Sequence, residues 1–208
     1  MARAIAHEAQ AQNVGIVLGP AINIKRSPLC GRNFEYLSED PYLAGEMAVS
    51  YVNAMQGEGV ATSVKHYAVN NQETARMTID ARVSERALRE IYLYPFEQVA
   101  RRADPKTFMC SYNRVNGVYA CQNKWLLDEL LRGEWGFKGF VMSDWGAVDQ
   151  RVPALGAGLE LQMPGDGGEG AKKLVNAVKD GSLDERILDR AVERLLGVLD
   201  WSARNHRQ

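Results

Sequence analysis

The stretch Lys138-Gly139-Phe140-Val141-Met142-Ser143-Asp144-Trp145-Gly146-Ala147 decides the fold. Its first half, Gly-Phe-Val-Met, is a short apolar run with β-formers and no polar break, which reads as a strand buried on both faces. The run stops at an acid, so Asp144 stands at the carboxyl end of a buried strand, beside a large aromatic and a glycine that permits a tight turn. That is where α/β barrels and open α/β sheets keep their chemistry. A plainer reading stands beside it: Asp144 can cap the next helix, with Asp-Trp as an ordinary turn.

Working outward, the same unit recurs. Residues 2 to 13 read as a helix, followed by an apolar strand, Val14 to Leu18, that ends at Gly19-Pro20. A polar loop from Ala21 to about Asp40 carries Arg26, Arg32, Phe34, Glu35 and Tyr36, and its aromatics and mixed charges favour an ordered binding loop. Pro41 to about Gln56 reads as a helix, closed by Gly57-Glu58-Gly59. Val60 to Val64 is the next strand, with Lys65 and His66 at its carboxyl end. The loop from Asn70 to Arg76 leads to a helix over 84 to 103, which Pro95 is expected to bend. Thr107 to Cys110 is a third strand. Asn123 is placed to cap the helix that precedes the central strand. Gly158 to Met163 repeats the strand pattern, Pro164 to Gly170 reads as a turn, and helices over 171 to 180 and 184 to 200 follow, the second capped by Asp184.

Strand, polar loop and helix alternate about five times with no hairpin signal, which predicts parallel strands joined by helical crossovers, an α/β fold. The polar loops all follow strands and therefore converge on one end of the sheet. Arg32, Lys65, His66, Arg76, Tyr112, Asp144 and Trp145 can thus share a cleft. Taken singly, each has a structural reading: Lys65 and Arg32 as surface charges, His66 as a core histidine, Tyr112 as a core packer. Together, a carboxylate, fixed cations, a histidine and aromatics suit a neutral polyhydroxylated ligand. Charged groups can grip vicinal hydroxyls, and a Trp face can cover a sugar ring.

Composition narrows the alternatives. The 208 residues are 46% hydrophobic and 25% charged, an ordinary globular balance. That length falls short of the roughly 250 residues of a full eight-unit α/β barrel. With a net charge of −1 and interspersed signs, neither a nucleic-acid nor a membrane-surface partner is expected. The first fifteen residues lack the apolar centre of a signal peptide, and the compartment stays open. Cys30, Cys110 and Cys121 have no paired zinc spacing, and a single bridge, for instance Cys110 to Cys121, is open to them without being deducible. His7, His66 and His206 are not at metal-ligand spacing, so no metal is expected, and no cofactor fingerprint for phosphate is present.

Four strings carry a resemblance: residues 19 to 36 (Gly-Pro-Ala-Ile-Asn-Ile-Lys-Arg-Ser-Pro-Leu-Cys-Gly-Arg-Asn-Phe-Glu-Tyr), 64 to 74 (Val-Lys-His-Tyr-Ala-Val-Asn-Asn-Gln-Glu-Thr), 109 to 117 (Met-Cys-Ser-Tyr-Asn-Arg-Val-Asn-Gly) and 141 to 147 (Val-Met-Ser-Asp-Trp-Gly-Ala). In content and order they resemble the amino-terminal catalytic domain of family 3 glycoside hydrolases of the β-glucosidase type. The resemblance implies a parallel (β/α) barrel of TIM type, here incomplete, with residues 1 to 208 forming one partial catalytic domain. It implies hydrolysis of terminal non-reducing β-D-glucosyl residues, from β-glucosides or cello-oligosaccharides, by a retaining double displacement. Asp144 would be the nucleophile. Arg32, Lys65 and His66 would bind glycone hydroxyls, with Arg76, Tyr112 and Met109 in the same substrate-binding constellation and Trp145 as the wall of the sugar subsite. Retaining chemistry also needs a second carboxyl group about 5 to 5.5 Å from the nucleophile.

The chain departs from the family in two places. It begins after the segment that supplies a further glycone-binding Asp, and it ends before the α/β sandwich domain that usually supplies the acid/base Glu. Glu35, Glu73 and Glu160 lie in the right half of the fold, but none matches the acid/base motif. Weak or absent activity alone is therefore expected, with the sandwich domain or self-association as the partner of the exposed surfaces. Alternatives are a β-xylosidase of the same family or a non-catalytic carbohydrate-binding remnant. A β-N-acetylglucosaminidase is disfavoured, because its relatives carry Lys-His-Phe-Pro-Gly where this chain has Lys65-His66-Tyr67-Ala68-Val69.

Overall fold

A computed structural model describes residues 1–206. In chain order its regular elements are α1 (Ala2–Ala11), β1 (Ile16–Val17), α2 (Pro41–Gly57), β2 (Ala61–Tyr67), β3 (Asp80–Ala81), α3 (Glu85–Ala87) continuing into a π-helical turn (Leu88–Tyr92), and α4 (Tyr94–Ala103). Then follow β4 (Thr107–Cys110), β5 (Arg114–Val115), β6 (Val118–Tyr119), a 3₁₀ turn (Ala120–Gln122), a π-helix (Trp125–Glu134), β7 (Phe140–Ser143), α5 (Arg151–Ala157), α6 (Glu169–Lys179) and α7 (Glu185–Asn205).

The main sheet runs β1-β2-β4-β7 with every neighbouring pair parallel, so the chemistry-bearing loops do leave one edge of the sheet together. The order is that of consecutive βα units in an α/β arrangement of TIM type, an open arc of four strands among the described residues. Strand alternation separates two faces. Val64, Phe108, Cys110 and Val141 join the large core with Val49 and Val52 of α2, Phe96 and Val99 of α4, and Leu127 and Leu131 of the π-helix. Met109, Phe140 and Met142 point the other way and meet Leu195 and Val198 of α7. At the head of β7 a Cβ on Gly139 would lie 2.0 Å from the Lys106 carbonyl oxygen, so only glycine lets β7 approach β4 there.

The helix starts follow their capping residues. Asp40 Oδ1 accepts from the Tyr42 and Leu43 amides at 2.7 and 3.2 Å, with Pro41 in the first turn. Asn123 Oδ1 accepts from Leu126 N at 3.1 Å, and Asp184 Oδ1 from Arg186 N at 3.0 Å.

Four expectations are corrected. The single helix over 84 to 103 is broken at Leu93, because Pro95 has no amide proton and seats itself in the first turn of α4. A hairpin exists: β5 and β6 pair antiparallel across Asn116 and Gly117, both at positive φ (51° and 94°), and β3 joins them in a second small sheet. The strand over 158 to 163 is reduced to an isolated parallel bridge between Met142 and Leu161. Lys65 and His66 lie within β2 rather than after it. The open question of the cysteines is resolved by a Cys110–Cys121 disulfide, with Cys30 free and buried.

Candidate active site

The cleft lies at the carboxyl end of β2, β4 and β7, and Asp144 is its centre. Asp144 is 7% exposed, and its two carboxylate oxygens have different settings. Oδ1 accepts the Tyr112 hydroxyl at 2.9 Å and the Trp145 amide at 2.8 Å. Oδ2 has no hydrogen-bond partner. It faces Arg32 Nη1 at 3.8 Å and His66 Nε2 at 3.6 Å, and His66 Nε2 is likewise buried and unpartnered. One oxygen is anchored, and the other looks into the cleft opposite a guanidinium and an imidazole nitrogen.

The cations are held by carboxylates of their own. Arg32 Nε meets Glu35 Oε1 at 2.5 Å, and Lys65 Nζ meets Glu35 Oε2 at 3.3 Å. Arg76 bonds Glu73 at 2.7 Å and lays its guanidinium 4.5 Å from the centre of the Tyr112 ring. Burial works against the charge on Arg32, but the hydrogen bond and charge of Glu35 outweigh it and raise the pKa. Burial pushes the Tyr112 pKa up to about 12, helped by the charge of Asp144 and the hydrogen bond to it, so Tyr112 remains a donor at neutral pH. Burial, then the charges of Arg32, Lys65 and Arg76, push His66 down to about 2, and its ring is neutral over the physiological range.

The structure thus brings Arg32, Lys65, His66, Arg76, Tyr112 and Asp144 into one group. Trp145 stands at its rim, 43% exposed. Met109 is buried, 2% exposed, in the apolar cluster with Phe140, Met142 and Val198. Glu160 lies elsewhere. It is buried behind β7, where its carboxylate takes two 2.8 Å bonds from Arg132, one of 2.7 Å from Arg194 and one of 2.7 Å from the Val141 amide.

Sequence reasoning missed Asn23. Its Oδ1 accepts from the His66 amide at 2.7 Å and its Nδ2 donates to the His66 carbonyl at 2.9 Å, so one buried side chain fixes the main chain of His66 from both sides. Tyr36 completes the support: its hydroxyl donates to the Asn70 carbonyl at 2.9 Å and its ring meets that of His66 edge-on, centroids 6.3 Å apart. The signal available was position alone, since both lie in the long polar loop that follows β1.

A parallel βα arc with a buried carboxylate at the end of a strand, ringed by cations, defines a class of α/β chain with its polar cleft at the carboxyl ends of the strands. Within that class, residues 1–198 match the model of the glycosyl hydrolase family 3 N terminal domain, and the chain belongs to that family. It is 54% identical over 205 residues to the thermostable beta-glucosidase B of Acetivibrio thermocellus, covering 99% of this chain and 27% of that protein. It is 52% identical to an exo-alpha-(1->6)-L-arabinopyranosidase of Bifidobacterium longum, covering 95% of this chain and 26% of the relative. The structure of beta-glucosidase 3B from Thermotoga neapolitana in complex with glucose superposes with a TM-score of 0.94 at 47% identity, over 99% of this chain and 30% of that one. The chain therefore spans a little over a quarter of the length of these curated relatives.

Proposed function

We propose that this chain carries the nucleophile and most of the glycone-binding surface of a retaining β-glucosidase acting on terminal non-reducing β-D-glucosyl residues. One observation supports the assignment above the rest: the divided setting of Asp144, with Oδ1 anchored by Tyr112 and Trp145 N and Oδ2 unpartnered. A nucleophilic carboxylate needs one oxygen free and the other fixed, so that attack proceeds along one line. Oδ2 attacks C1 of the pyranose as the aglycone oxygen departs with the bonding pair, which leaves a glycosyl ester on Asp144. Water then cleaves that ester with retention.

The neighbours fit the remaining tasks. Arg32 and Lys65 offer donors and neutral His66 an imidazole nitrogen to ring hydroxyls, and Trp145 offers an apolar wall to the sugar. Arg76, stacked on Tyr112, keeps the phenol aimed at Asp144. The acid/base group is assigned to chain outside these 208 residues. Glu35 and Glu73 are each engaged by cations, Arg32 with Lys65 and Arg76 respectively, whereas a proton donor needs an apolar or anionic setting. Without that group, unactivated glucosides turn over more slowly by a factor of about 10² to 10⁴.

The test is covalent trapping with 2,4-dinitrophenyl 2-deoxy-2-fluoro-β-D-glucopyranoside, whose leaving group needs no proton. The 208-residue chain is expected to gain one fluoroglucosyl group, mapped by peptide mass spectrometry to Asp144, and Asp144→Asn to gain none. An adduct on another residue, or glucose binding with no adduct, overturns the reading and favours a binding module. A second reading comes from the 52% identical arabinopyranosidase. The corresponding aryl α-L-arabinopyranoside and β-xyloside belong in the same assay, and faster labelling by either reassigns the glycone.

A further inference from the structure

Glu35 is the carboxylate that meets two of the cleft's cations, and the glycosidase reading gives it no task. Its Oε1 lies 2.5 Å from Arg32 Nε and its Oε2 3.3 Å from Lys65 Nζ, while Arg32 reaches toward Asp144 with Nη1 but stops at 3.8 Å. All three side chains are less than one-fifth exposed, so solvent screens these charges poorly.

The charges in the cleft balance: Arg32, Lys65 and Arg76 against Asp144, Glu35 and Glu73. Glu73 already holds Arg76 at 2.7 Å. If Glu35 is neutralised, Arg32 and Lys65 lose their shared partner, and the nearest carboxylate left to Arg32 is the nucleophile. A guanidinium prefers a two-pronged bond to a carboxylate at about 2.8 Å. Closing from 3.8 Å to that distance would occupy Oδ2, the oxygen without a hydrogen-bond partner. It would also turn the guanidinium away from a sugar hydroxyl.

We infer that Glu35 is a positioning residue that acts as a competing counter-ion: by binding Arg32 and Lys65 together it holds both cations in reach of the glycone while keeping Arg32 off the attacking oxygen of Asp144. The inference rests on the proposed role of Asp144 and adds to it a reason for the 3.8 Å gap. It also explains why the cleft carries a glutamate at a place where a proton donor would be spoiled by its neighbours.

The experiment has a structural and a kinetic arm. In a crystal structure of Glu35→Gln, Arg32 is expected within about 3 Å of a carboxylate oxygen of Asp144. An Arg32 still at 3.8 Å overturns the inference. In trapping with the fluoroglucoside, Glu35→Gln is expected to lose about 10- to 100-fold in the bond-forming rate constant, the span of one strong charged hydrogen bond. A loss confined to reagent affinity, with bond formation at the native rate, overturns it as well. The double variant Glu35→Gln/Arg32→Met separates this role from simple damage to the fold. With the capping cation gone, bond formation is expected to recover most of the loss while affinity falls further, and a double variant as slow as Glu35→Gln counts against the inference. If the unaltered chain takes no label, the glucosidase reading fails by itself, and the crystal arm still decides the role of Glu35.

Discussion

His66 gives the clearest view of how the site is tuned at the level of one side chain. Its imidazole is buried beside three cations, so the folded state holds its pKa near 2 while the unfolded chain has the ordinary value of about 6.5. Below about pH 6.5 the unfolded chain takes up a proton that the native ring refuses until about pH 2, so this contribution to stability is complete above that window and shrinks as the pH falls through it. Urea midpoints measured from pH 8 to pH 4 are expected to fall on the acid side, and His66→Gln to show a shallower decline, by as much as one proton's worth of slope. Equal slopes would mean that the ring charges freely in the folded protein. Much of this scale was legible in advance: Asp144, Lys65, His66 and Tyr112 are chemistry-bearing residues at the ends of strand-like runs. Asn23 was not, because its value depends on which backbone it meets 43 residues away, and no local pattern records that.

Among the elements, β7 is the one everything else secures. Its backbone is paired with β4 on one side, and behind it Glu160 gathers Arg132 from the π-helix, Arg194 from α7 and the Val141 amide. Burial, with the charge of Arg194 adding to it, pushes Arg132 down to about 10 even with Glu160 beside it. Removing the shared anion therefore strands two guanidinium groups, one of them almost wholly buried. Glu160→Ala is expected to cost about 3 to 5 kcal/mol of stability, read as a drop in the denaturant midpoint with an unchanged m-value. A cost below about 1 kcal/mol would make the network an ordinary surface pairing. The same network explains why the strand pattern over 158 to 163 failed: Glu160 is drawn sideways to the arginines, and Arg151 takes the Leu159 and Glu160 carbonyls at 3.1 and 2.7 Å. The missed hairpin had a signal, Asn116-Gly117, which is a strong two-residue turn, but flanking runs of only two residues gave no alternation to go with it.

Over the whole molecule, the sheet has one face closed by helices and the other covered by α7, which keeps an apolar stripe on its otherwise charged outer surface. Val192, Leu196 and Leu199 lie one and two turns apart on that helix at 44%, 58% and 58% exposure, and Phe34 and Met47 add 87% and 44% elsewhere. Contiguous apolar surface of this kind drives association in water. The 208-residue chain is expected to run above its monomer mass in light scattering at tens of micromolar, and Leu196→Lys/Leu199→Glu to return it toward 23.1 kDa. A monomeric parent would show that the stripe is too small to matter. Fold class was open to sequence reasoning because buried runs and polar loops alternate along most of the chain. How the outer helices leave their faces was not, since α7 has an apolar side wide enough for the sheet and for something further.

The Cys110–Cys121 bond bears on how such measurements are interpreted. It fastens the end of β4, whose Cys110 carbonyl accepts the Asp144 amide at 3.1 Å, to the turn beyond the hairpin, and the segment it encloses contains Tyr112. Both cysteines are no more than 1% exposed, so reductant or alkylating agent gains access only when this corner opens. Preparations made with and without oxidant will accordingly differ in composition and keep that difference through purification. Counting iodoacetamide-reactive thiols after denaturation, one for the bonded form and three for the open one, belongs ahead of any comparison of rates between batches.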